Sequence, residues 1–276
     1  MSAAETRHQV IGFIGAGRIG EPMIERLIDA GRTVTSYARR PEVADRLAAK
    51  GSAVASSIAD LAAISDVVIM CLFDDGQLRD VCAGTGGLIA NLKPGSVVVS
   101  HTTGSVATLE ALAAQSQGTA SWLDAPFSGT ADDVRASTLT VLLGGDSDAR
   151  ATATPALRTY AGRLIVTGGL GTALRTKLVN NLLFAANAQL AGAAARLGVQ
   201  LGLSYQSTLD AIMACSGSSQ AAAHLGAAGS TEQFDAMVSD VLTKDVTAAL
   251  EMAAEHGVDA GVLADTALSG PLRLRP

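Results

Sequence analysis

The chain has 276 residues, of which 48% are apolar and 17% are charged. This balance is typical of a packed globular protein and excludes a disordered chain and a coiled coil. The net charge of −6 argues against a nucleic-acid partner and against attraction to an anionic membrane, so neither is expected. The length corresponds to one large domain or two modest ones.

The sequence shows no pattern of a signal peptide, a disulfide framework or a metal site. Residues 1–9 are polar, and no segment is long enough to span a bilayer without glycine or charge, which predicts a cytoplasmic protein. The three cysteines lack the spacing of disulfide pairs or zinc ligands. We therefore expect reduced thiols at Cys71, Cys82 and Cys215 and no metal site.

Strands and helices are predicted to alternate over the first 170 residues. Short apolar runs predict strands, and apolar residues at helical spacing predict helices. Such alternation implies a parallel sheet that is covered on both faces. We predict an α/β fold whose N-terminal domain, residues 1–170, is a Rossmann-type, doubly wound parallel sheet. Strands are expected at 9–15, 33–37, 66–72, 97–99, 120–123, 139–143 and 163–166, and helices at 21–30, 41–50, 105–115 and 148–160.

The pattern changes after residue 170. From Thr172 to about Leu197 there is no proline and one glycine, which predicts a helix of about 26 residues and about 39 Å. Alanine is abundant, with 51 in the chain, and small side chains let helices pack closely. Residues 171–276 are thus predicted to form an all-α domain connected through this long helix. Later helices are expected at 204–214, 219–225, 234–242, 244–256 and 259–267.

A glycine-rich turn follows the first predicted strand. Gly15-Ala16-Gly17-Arg18-Ile19-Gly20 has the spacing G-x-G-x-x-G and directly precedes a helix. In that setting the first glycine permits a tight turn, the second lets the backbone approach a pyrophosphate, and the third lets helix and strand pack closely. The helix N-terminus adds N–H donors. These six residues are predicted to bind a dinucleotide, and a turn that binds nothing is the alternative.

The end of the second strand indicates which dinucleotide is bound. NAD-selective turns usually carry an acidic residue about 20 positions further on, which holds the ribose 2′-hydroxyl. The chain has Tyr37-Ala38-Arg39-Arg40 at this point. Two guanidinium groups suit a 2′-phosphate by charge and by bidentate geometry. Arg39 and Arg40 therefore predict NADP rather than NAD, with solvated surface arginines as the alternative.

A lysine and an asparagine share one face of the long helix. Lys177 and Asn181 are four residues apart, and Ala173 lies one turn earlier on that face. Burial among small and apolar neighbours would lower the pKa of the lysine toward the range in which it exchanges a proton. A solvated lysine is the alternative. The pair Asn180-Asn181 in an otherwise apolar helix favours a functional site, because buried amides need partners.

These motifs resemble the β-hydroxyacid dehydrogenases, a family that includes 3-hydroxyisobutyrate dehydrogenase and tartronate semialdehyde reductase and is related to 6-phosphogluconate dehydrogenase. The order and spacing of the matching segments cover nearly the whole chain. They are specific for the family and weakly specific for the substrate. The segments are 12–23, 124–130 with 138–145 behind it, 168–181, and Lys244-Asp245.

The resemblance implies hydride transfer between a nicotinamide and a small 3-hydroxy acid or the corresponding semialdehyde. Lys177 would be the general acid/base, and Asn181 would orient the substrate or the lysine. Ser128 and Gly129, with Thr130 beside them, would hold the substrate carboxylate. The resemblance thus makes Lys177, Asn181 and Ser128 the expected catalytic residues.

It also implies further cofactor contacts and a dimer. The family has Ser-Thr after the fifth strand, where this chain has His101-Thr102-Thr103, so either threonine would meet the nicotinamide. Leu72 and Phe73, at the end of the buried strand, are assigned to the cofactor site, and Lys244 would close over the cofactor. The family usually forms a homodimer through its helical domains.

The chain departs from the family at two positions of the carboxylate motif. Thr130 replaces a second glycine, and Phe127 stands where a smaller valine is common. Because of these two departures, the resemblance does not specify which hydroxy acid is bound. The chain also ends soon after Ala267, where relatives continue into a further helix. An imine reductase, which generally lacks the lysine, and a non-catalytic NADP-binding protein are the alternatives. A 6-phosphogluconate dehydrogenase would need a larger helical domain.

Overall fold

The structure is a computed structural model that describes residues 9–274. Residues 1–8, on which the expectation of a cytoplasmic location partly rests, lie outside the described residues. The chain divides into two compact units after Lys177. This division falls inside the long helix, seven residues beyond the boundary predicted at 170.

A nine-stranded sheet forms the centre of the first unit, in the order β3-β2-β1-β4-β5-β6-β8-β7, with β9 beside β8. The pairs from β3 through β6 are all parallel. Every residue of β4 and β5 is buried, as expected for parallel strands covered on both faces. The strands are β1 Val10–Ile14, β2 Thr33–Tyr37, β3 Ala53–Val54, β4 Val67–Met70, β5 Ser96–Ser100, β6 Ala120–Asp124, β7 Phe127–Ser128, β8 Leu139–Gly145 and β9 Ala161–Gly168.

The helices of the first unit place apolar side chains against this sheet. Met23, Ile24 and Leu27 of the first helix are completely buried and belong to one cluster with Phe13 of β1. The predicted doubly wound α/β domain is therefore confirmed. The helices are α1 Gly20–Asp29, α2 Pro41–Ala49, α3 Ile58–Ile64, α4 Asp75–Cys82, α5 Leu88–Asn91, α6 Val106–Gln115, α7 Ala131–Arg135 and α8 Ser147–Leu157.

One end of the sheet is not parallel, contrary to the sequence prediction. Strand β8 pairs antiparallel with both β6 and β7, and only β9 restores a parallel pair. A parallel connection needs a crossover of a dozen or more residues, usually a helix. Between β6 and β8 the chain forms the two-residue β7 and the five-residue α7, so it returns antiparallel instead.

The second unit consists of helices. The long helix α9 spans Thr172–Gln200, three residues more than predicted, and it is followed by α10 Tyr205–Ala214, α11 Gln220–Ala228, α12 Thr231–Glu255 and α13 Gly261–Leu268. The sequence predicted two helices where α12 is one. No glycine or proline interrupts residues 242–246, and Leu242 and Val246 stay buried on one face, so the helix continues.

Helix α9 is long and apolar enough to cross a bilayer by length and composition, but half of that window is buried inside the protein. Its Gln189 is a fully buried amide. The Gln189 Nε2 donates to the carbonyls of Ala267 (3.0 Å) and Leu272 (3.1 Å), and its Oε1 accepts from the Leu272 N–H (2.8 Å). These bonds fix the chain after α13 against α9, with Leu274 also buried.

Candidate nucleotide and substrate site

The glycine turn between β1 and α1 has the geometry of a phosphate-binding loop. Gly15 has φ +104°, and a Cβ there would lie 2.2 Å from the Cys71 carbonyl oxygen. A Cβ on Gly20 would lie 2.0 Å from the Gly15 carbonyl oxygen. At Gly17, by contrast, a Cβ would meet nothing within 4 Å. Two glycines are therefore required by packing, and the middle one leaves space for a ligand to approach, while its own N–H donates to the Gly15 carbonyl at 2.9 Å.

At the start of α1, the Glu21 N–H donates to the Gly17 carbonyl at 3.0 Å and Pro22 has no N–H, so the Gly20 N–H is the first-turn donor without a partner among the described residues. The N-cap of α1, Ile19, makes no side-chain capping hydrogen bond. The first N–H groups of a helix have no partner within the helix, and they carry the positive end of its dipole. Glu21 lies in this turn, where Arg46 and Lys50 hold its pKa down to about 2. The Gly20 N–H and the open space at Gly17 suit an anion.

A groove of about 580 Å³ opens beside this turn. It extends from the glycine turn to the ends of β2 and β4, the edge at which doubly wound sheets bind nucleotides. Seven predicted cofactor residues line it together, namely Gly15, Ala16, Gly17, Arg39, Arg40, Leu72 and Phe73, with Ile14, Tyr37, Ala38, Val43, Ile58, Cys71, Gln77, Asp80 and Val81 among the others.

The two arginines of the groove differ in their contacts. Both are exposed, and Arg40 lies 3.7 Å from the carboxylate of Glu42. Arg39 directly follows Ala38 at the end of β2, where the second ribose of a dinucleotide lies in this fold. The open glycine, the uncapped helix and the cationic rim together fit a dinucleotide.

The segment after β5 contains the two threonines predicted to meet the nicotinamide. Thr102 is buried, and its Oγ1 has no hydrogen-bond partner among the described residues. A buried hydroxyl without a partner is uncommon and suits a polar ligand. Thr103 is half-buried. Of the two threonines, Thr102 is thus the one whose hydroxyl is available to a ligand.

His101, which sequence reasoning did not assign to the site, joins three segments of the first unit. It is buried, its Nδ1 donates to the Ala125 carbonyl, and its Nε2 accepts from the Tyr160 hydroxyl at 2.9 Å. The Phe127 ring packs against it in a T-shaped arrangement, with the ring centroids 5.8 Å apart. Burial lowers the pKa of His101 to about 4, so the ring is neutral at neutral pH. A neutral imidazole has one donor and one acceptor nitrogen, which matches these two hydrogen bonds.

Asp124 is a second residue whose role was not predicted, although it lies in the motif 124–130. Its carboxylate is buried at the end of β6 and accepts from the N–H groups of Gly171 (2.9 Å) and Leu174 (2.8 Å). Burial raises the pKa of Asp124, and these N–H donors oppose the shift. A Cβ on Gly144 would lie 2.3 Å from this carboxylate. Asp124 therefore caps the start of α9.

Ser128, Gly129 and Thr130 form an exposed turn between β7 and α7. Gly129 has φ +135°, a conformation that disfavours any side chain. Thr130 is the N-cap of α7: its Oγ1 accepts from the Asp133 N–H, while its own N–H donates to the Asp133 carboxylate at 2.7 Å. Thr130, predicted to bind substrate, thus has both its hydroxyl and its N–H engaged within the protein.

Lys177 and Asn181 lie on α9, and the division between the two units falls between them. Lys177 is half-buried, one turn after the buried Ala173. In the second unit, the Asn181 amide donates to the buried Asp245 carboxylate (2.5 Å), whose other oxygen lies 3.0 Å from Lys244 Nζ. The structure brings Asn181, Asp245 and Lys244 together within that unit.

Two family models match adjacent parts of the chain. The model for the NAD binding domain of 6-phosphogluconate dehydrogenase matches residues 10–169. The model described as NAD-binding of NADP-dependent 3-hydroxyisobutyrate dehydrogenase matches residues 171–268. Together they cover nearly all described residues, and the first alone covers more than half of the chain.

Individual proteins of known sequence or structure are similar to the chain and agree with the family models. The chain is 31% identical over 194 residues to the mitochondrial 3-hydroxyisobutyrate dehydrogenase of Mus musculus. The aligned residues cover 70% of this chain and 58% of the mouse protein. The structure of Mycobacterium tuberculosis 3-hydroxyisobutyrate dehydrogenase with L-serine is similar with a TM-score of 0.83 and 28% identity, covering 94% of this chain and 91% of that one. An imine reductase from Pseudomonas sp. shares the fold at 22% identity, with a TM-score of 0.63 and coverage of 94% and 91%. The chain belongs to the β-hydroxyacid dehydrogenase family.

Proposed function

We propose that this protein is an NADP-dependent oxidoreductase that transfers a hydride between the nicotinamide and a small 3-hydroxy acid or its semialdehyde. The observation that carries the proposal is the glycine turn, which is closed by packing at Gly15 and Gly20 and open at Gly17. Family membership supports the reaction class. The chain's match spans less than two thirds of the mouse enzyme's length.

The preference for NADP rests on Arg39. This guanidinium is exposed at the rim of the groove, and no acidic residue takes its place at the end of β2. A 2′-phosphate would accept two parallel hydrogen bonds from an arginine. Arg40 contributes less in this proposal because Glu42 is its neighbour at 3.7 Å. The description of the second family model, NADP-dependent 3-hydroxyisobutyrate dehydrogenase, favours the same cofactor.

Lys177 is proposed as the general acid/base. When bound, the nicotinamide cofactor accepts or supplies the hydride. The Lys177 amine takes the hydroxyl proton of the alcohol during oxidation and returns it to the carbonyl oxygen during reduction. Asp124 supports this role because it fixes the N–H of Leu174, three residues before the lysine. Asn181 is proposed to orient the substrate or the lysine.

The substrate carboxylate is proposed to bind the turn at Ser128 and Gly129. Both residues are exposed, and Gly129 has a positive φ that disfavours any side chain, so its backbone stays open to a ligand. Small acids are favoured because only the Gly129 N–H and the Ser128 hydroxyl are proposed to hold the anion. Thr102, with its unpartnered Oγ1, is the proposed contact on the nicotinamide side.

A homodimer through the second unit is also proposed. Val179, Leu183, Leu190 and Leu197 are each about half exposed on α9. Their spacing of four and seven residues places them on one face of the helix. An apolar stripe of this kind is typical of a contact surface. Leu190→Glu should yield a monomer in sedimentation analysis, whereas Val258→Glu, on a different exposed residue, should leave the dimer intact.

Cofactor titration tests the proposal directly. Arg39→Ala should weaken NADPH binding by about tenfold or more, the loss of a charge-assisted hydrogen bond, and change NADH binding by less than about threefold. Arg163→Ala, an exposed arginine on β9 outside the groove, is the matched control and should change neither. Equal affinity of the unmodified protein for NADH and NADPH would overturn the assignment.

An activity panel tests the reaction. Small semialdehydes, 3-hydroxy acids and a cyclic imine should each be assayed with NADPH or NADP⁺. Turnover of the oxygen compounds supports the proposal. Turnover of the imine alone would identify an imine reductase, and tight NADPH binding without turnover of any compound would identify a non-catalytic NADP-binding protein.

A further inference from the structure

The turn that is proposed to hold the substrate carboxylate already carries a carboxylate of the protein. Asp133 Oδ2 accepts from the N–H of Thr130 at 2.7 Å and from its hydroxyl at 2.8 Å. The N–H of Thr130 is thus bound within the protein, and the N–H of Ser128 belongs to the ladder between β7 and β8, opposite Thr140. Among the described residues, the donors left at the turn are the Ser128 hydroxyl and the Gly129 N–H. An anion that binds them must approach Asp133.

The distance is short because the turn is compact. A Cβ on Gly129 would lie 3.0 Å from Asp133 Oδ2 and 3.1 Å from Asp133 Cβ. Consecutive Cα atoms are about 3.8 Å apart, so a ligand at the neighbouring donors comes within roughly 4 to 7 Å of this oxygen. At that separation, two like charges repel measurably even in water.

Asp133 stays ionised, and no cationic side chain of residues 9–274 pairs with it. Hydrogen bonds from the Thr130 N–H and hydroxyl lower its pKa, and Thr138 adds a further donor. The adjacent arginine, Arg135, is paired with Asp132 instead, at 2.8 Å. The partners of Asp133 are therefore neutral groups, and its negative charge faces the turn.

We propose that Asp133 sets the charge selectivity of this site: it favours small 3-hydroxy acids that carry an ammonium group beside the carboxylate over simple anions of the same size. The inference rests on the proposed function, because it takes the turn at Ser128 and Gly129 as the carboxylate holder. An ammonium beside the bound carboxylate would be attracted by Asp133, whereas a purely anionic substrate would be repelled.

Two compounds of equal length separate the charges. L-Serine and 3-hydroxypropanoate share the hydroxyl and the carboxylate and differ by one ammonium group. Both are alcohols, so with NADPH they form complexes in which no hydride can transfer. Their dissociation constants from the NADPH-bound protein are then measurable by calorimetry at low ionic strength, where exposed charges are least screened.

Asp133→Asn is the decisive variant, because the amide oxygen still accepts from Thr130 while the charge is lost. We expect this variant to bind 3-hydroxypropanoate more tightly and L-serine more weakly than the unmodified protein does. The ratio of the two dissociation constants should change by about fivefold or more, and this change should be smaller in high salt. Asp132→Asn removes the same charge one residue away and should leave the ratio unchanged. Thermal unfolding of both variants checks that α7 is retained.

The outcomes are distinguishable. A ratio that is the same in Asp133→Asn, Asp132→Asn and the unmodified protein, with both compounds bound, overturns the role of Asp133 and leaves the proposed function standing. Failure of all three proteins to bind either compound overturns the proposed carboxylate site and this inference with it.

Discussion

The carboxylate of Asp124 accepts a hydrogen bond from the backbone N–H of Leu174 at 2.8 Å, across 50 residues of sequence. Its second oxygen accepts from Gly171, so one buried side chain holds the first turn of α9. Because Lys177 lies three residues beyond Leu174, the position of the proposed acid/base depends on the end of β6. The same strand end leads into the turn at Ser128 and Gly129, which couples both proposed functional groups to Asp124.

Asp124→Ala should destabilise the protein by about 2–5 kcal/mol, because two buried N–H groups lose their acceptor. Urea unfolding measures this loss. Asp146→Ala is the matched control, since Asp146 also accepts from two N–H groups at a helix start but is exposed. It should cost about 1 kcal/mol. Equal losses in the two variants would mean that burial of Asp124 adds nothing.

Acid should weaken the fold through His101. The unfolded histidine takes up its proton near pH 6.5, while the buried one does so only near pH 4. Between these values the unfolded state binds more protons, so stability falls as the pH is lowered through this range, by about 3 kcal/mol in all, and the contribution is flat below it. His101→Gln should lack this part of the pH dependence in unfolding titrations. If the free energy of unfolding had the same pH dependence in both proteins, the contribution of His101 would be refuted.

The three cysteines should differ in reactivity. Burial raises the pKa of Cys71 and of Cys82 to about 12, whereas Cys215 is exposed. Only the thiolate attacks a disulfide reagent, so one thiol per chain should react quickly under native conditions and three after unfolding. Cys215→Ser should abolish the fast reaction. More than one fast thiol in the native protein contradicts the raised pKa values of Cys71 and Cys82.

Gln189→Leu should destabilise the second unit by about 2–4 kcal/mol, because the buried N–H and carbonyl of Leu272 and the carbonyl of Ala267 lose their partner. Hydrogen exchange should be fastest after α13. Gln206→Leu, which removes an exposed amide bonded to Asp210, is the control and should cost little. A Gln189 variant as stable as this control would show that the C-terminal segment is held by apolar contacts alone.

Local signals account for what the sequence predicted well. The glycine turn and the long helix α9 follow from spacing within a few residues, and the structure has both. Contacts across large sequence distances account for what it missed. His101 and Tyr160 are 59 residues apart, and no local pattern connects them.

Thr130 and Asp133 are a different case. Their spacing is that of a capping box, a signal that is present in the sequence, whereas the family's second glycine at position 130 predicted a substrate contact. The strand at 139–143 was predicted, but its antiparallel pairing was not, because alternation of strands and helices does not reveal a connection that is too short to cross the sheet.

Turnover by Lys177→Ala is the most direct test of the central claim. With a semialdehyde that the unmodified protein reduces, consumption of NADPH should fall by about 100-fold or more, the usual contribution of a general acid/base, while NADPH binding stays within about twofold. Thr176→Ala, the exposed neighbour on α9, should retain activity. Undiminished turnover in Lys177→Ala, or loss of NADPH binding together with activity, would contradict the role of Lys177 as the acid/base.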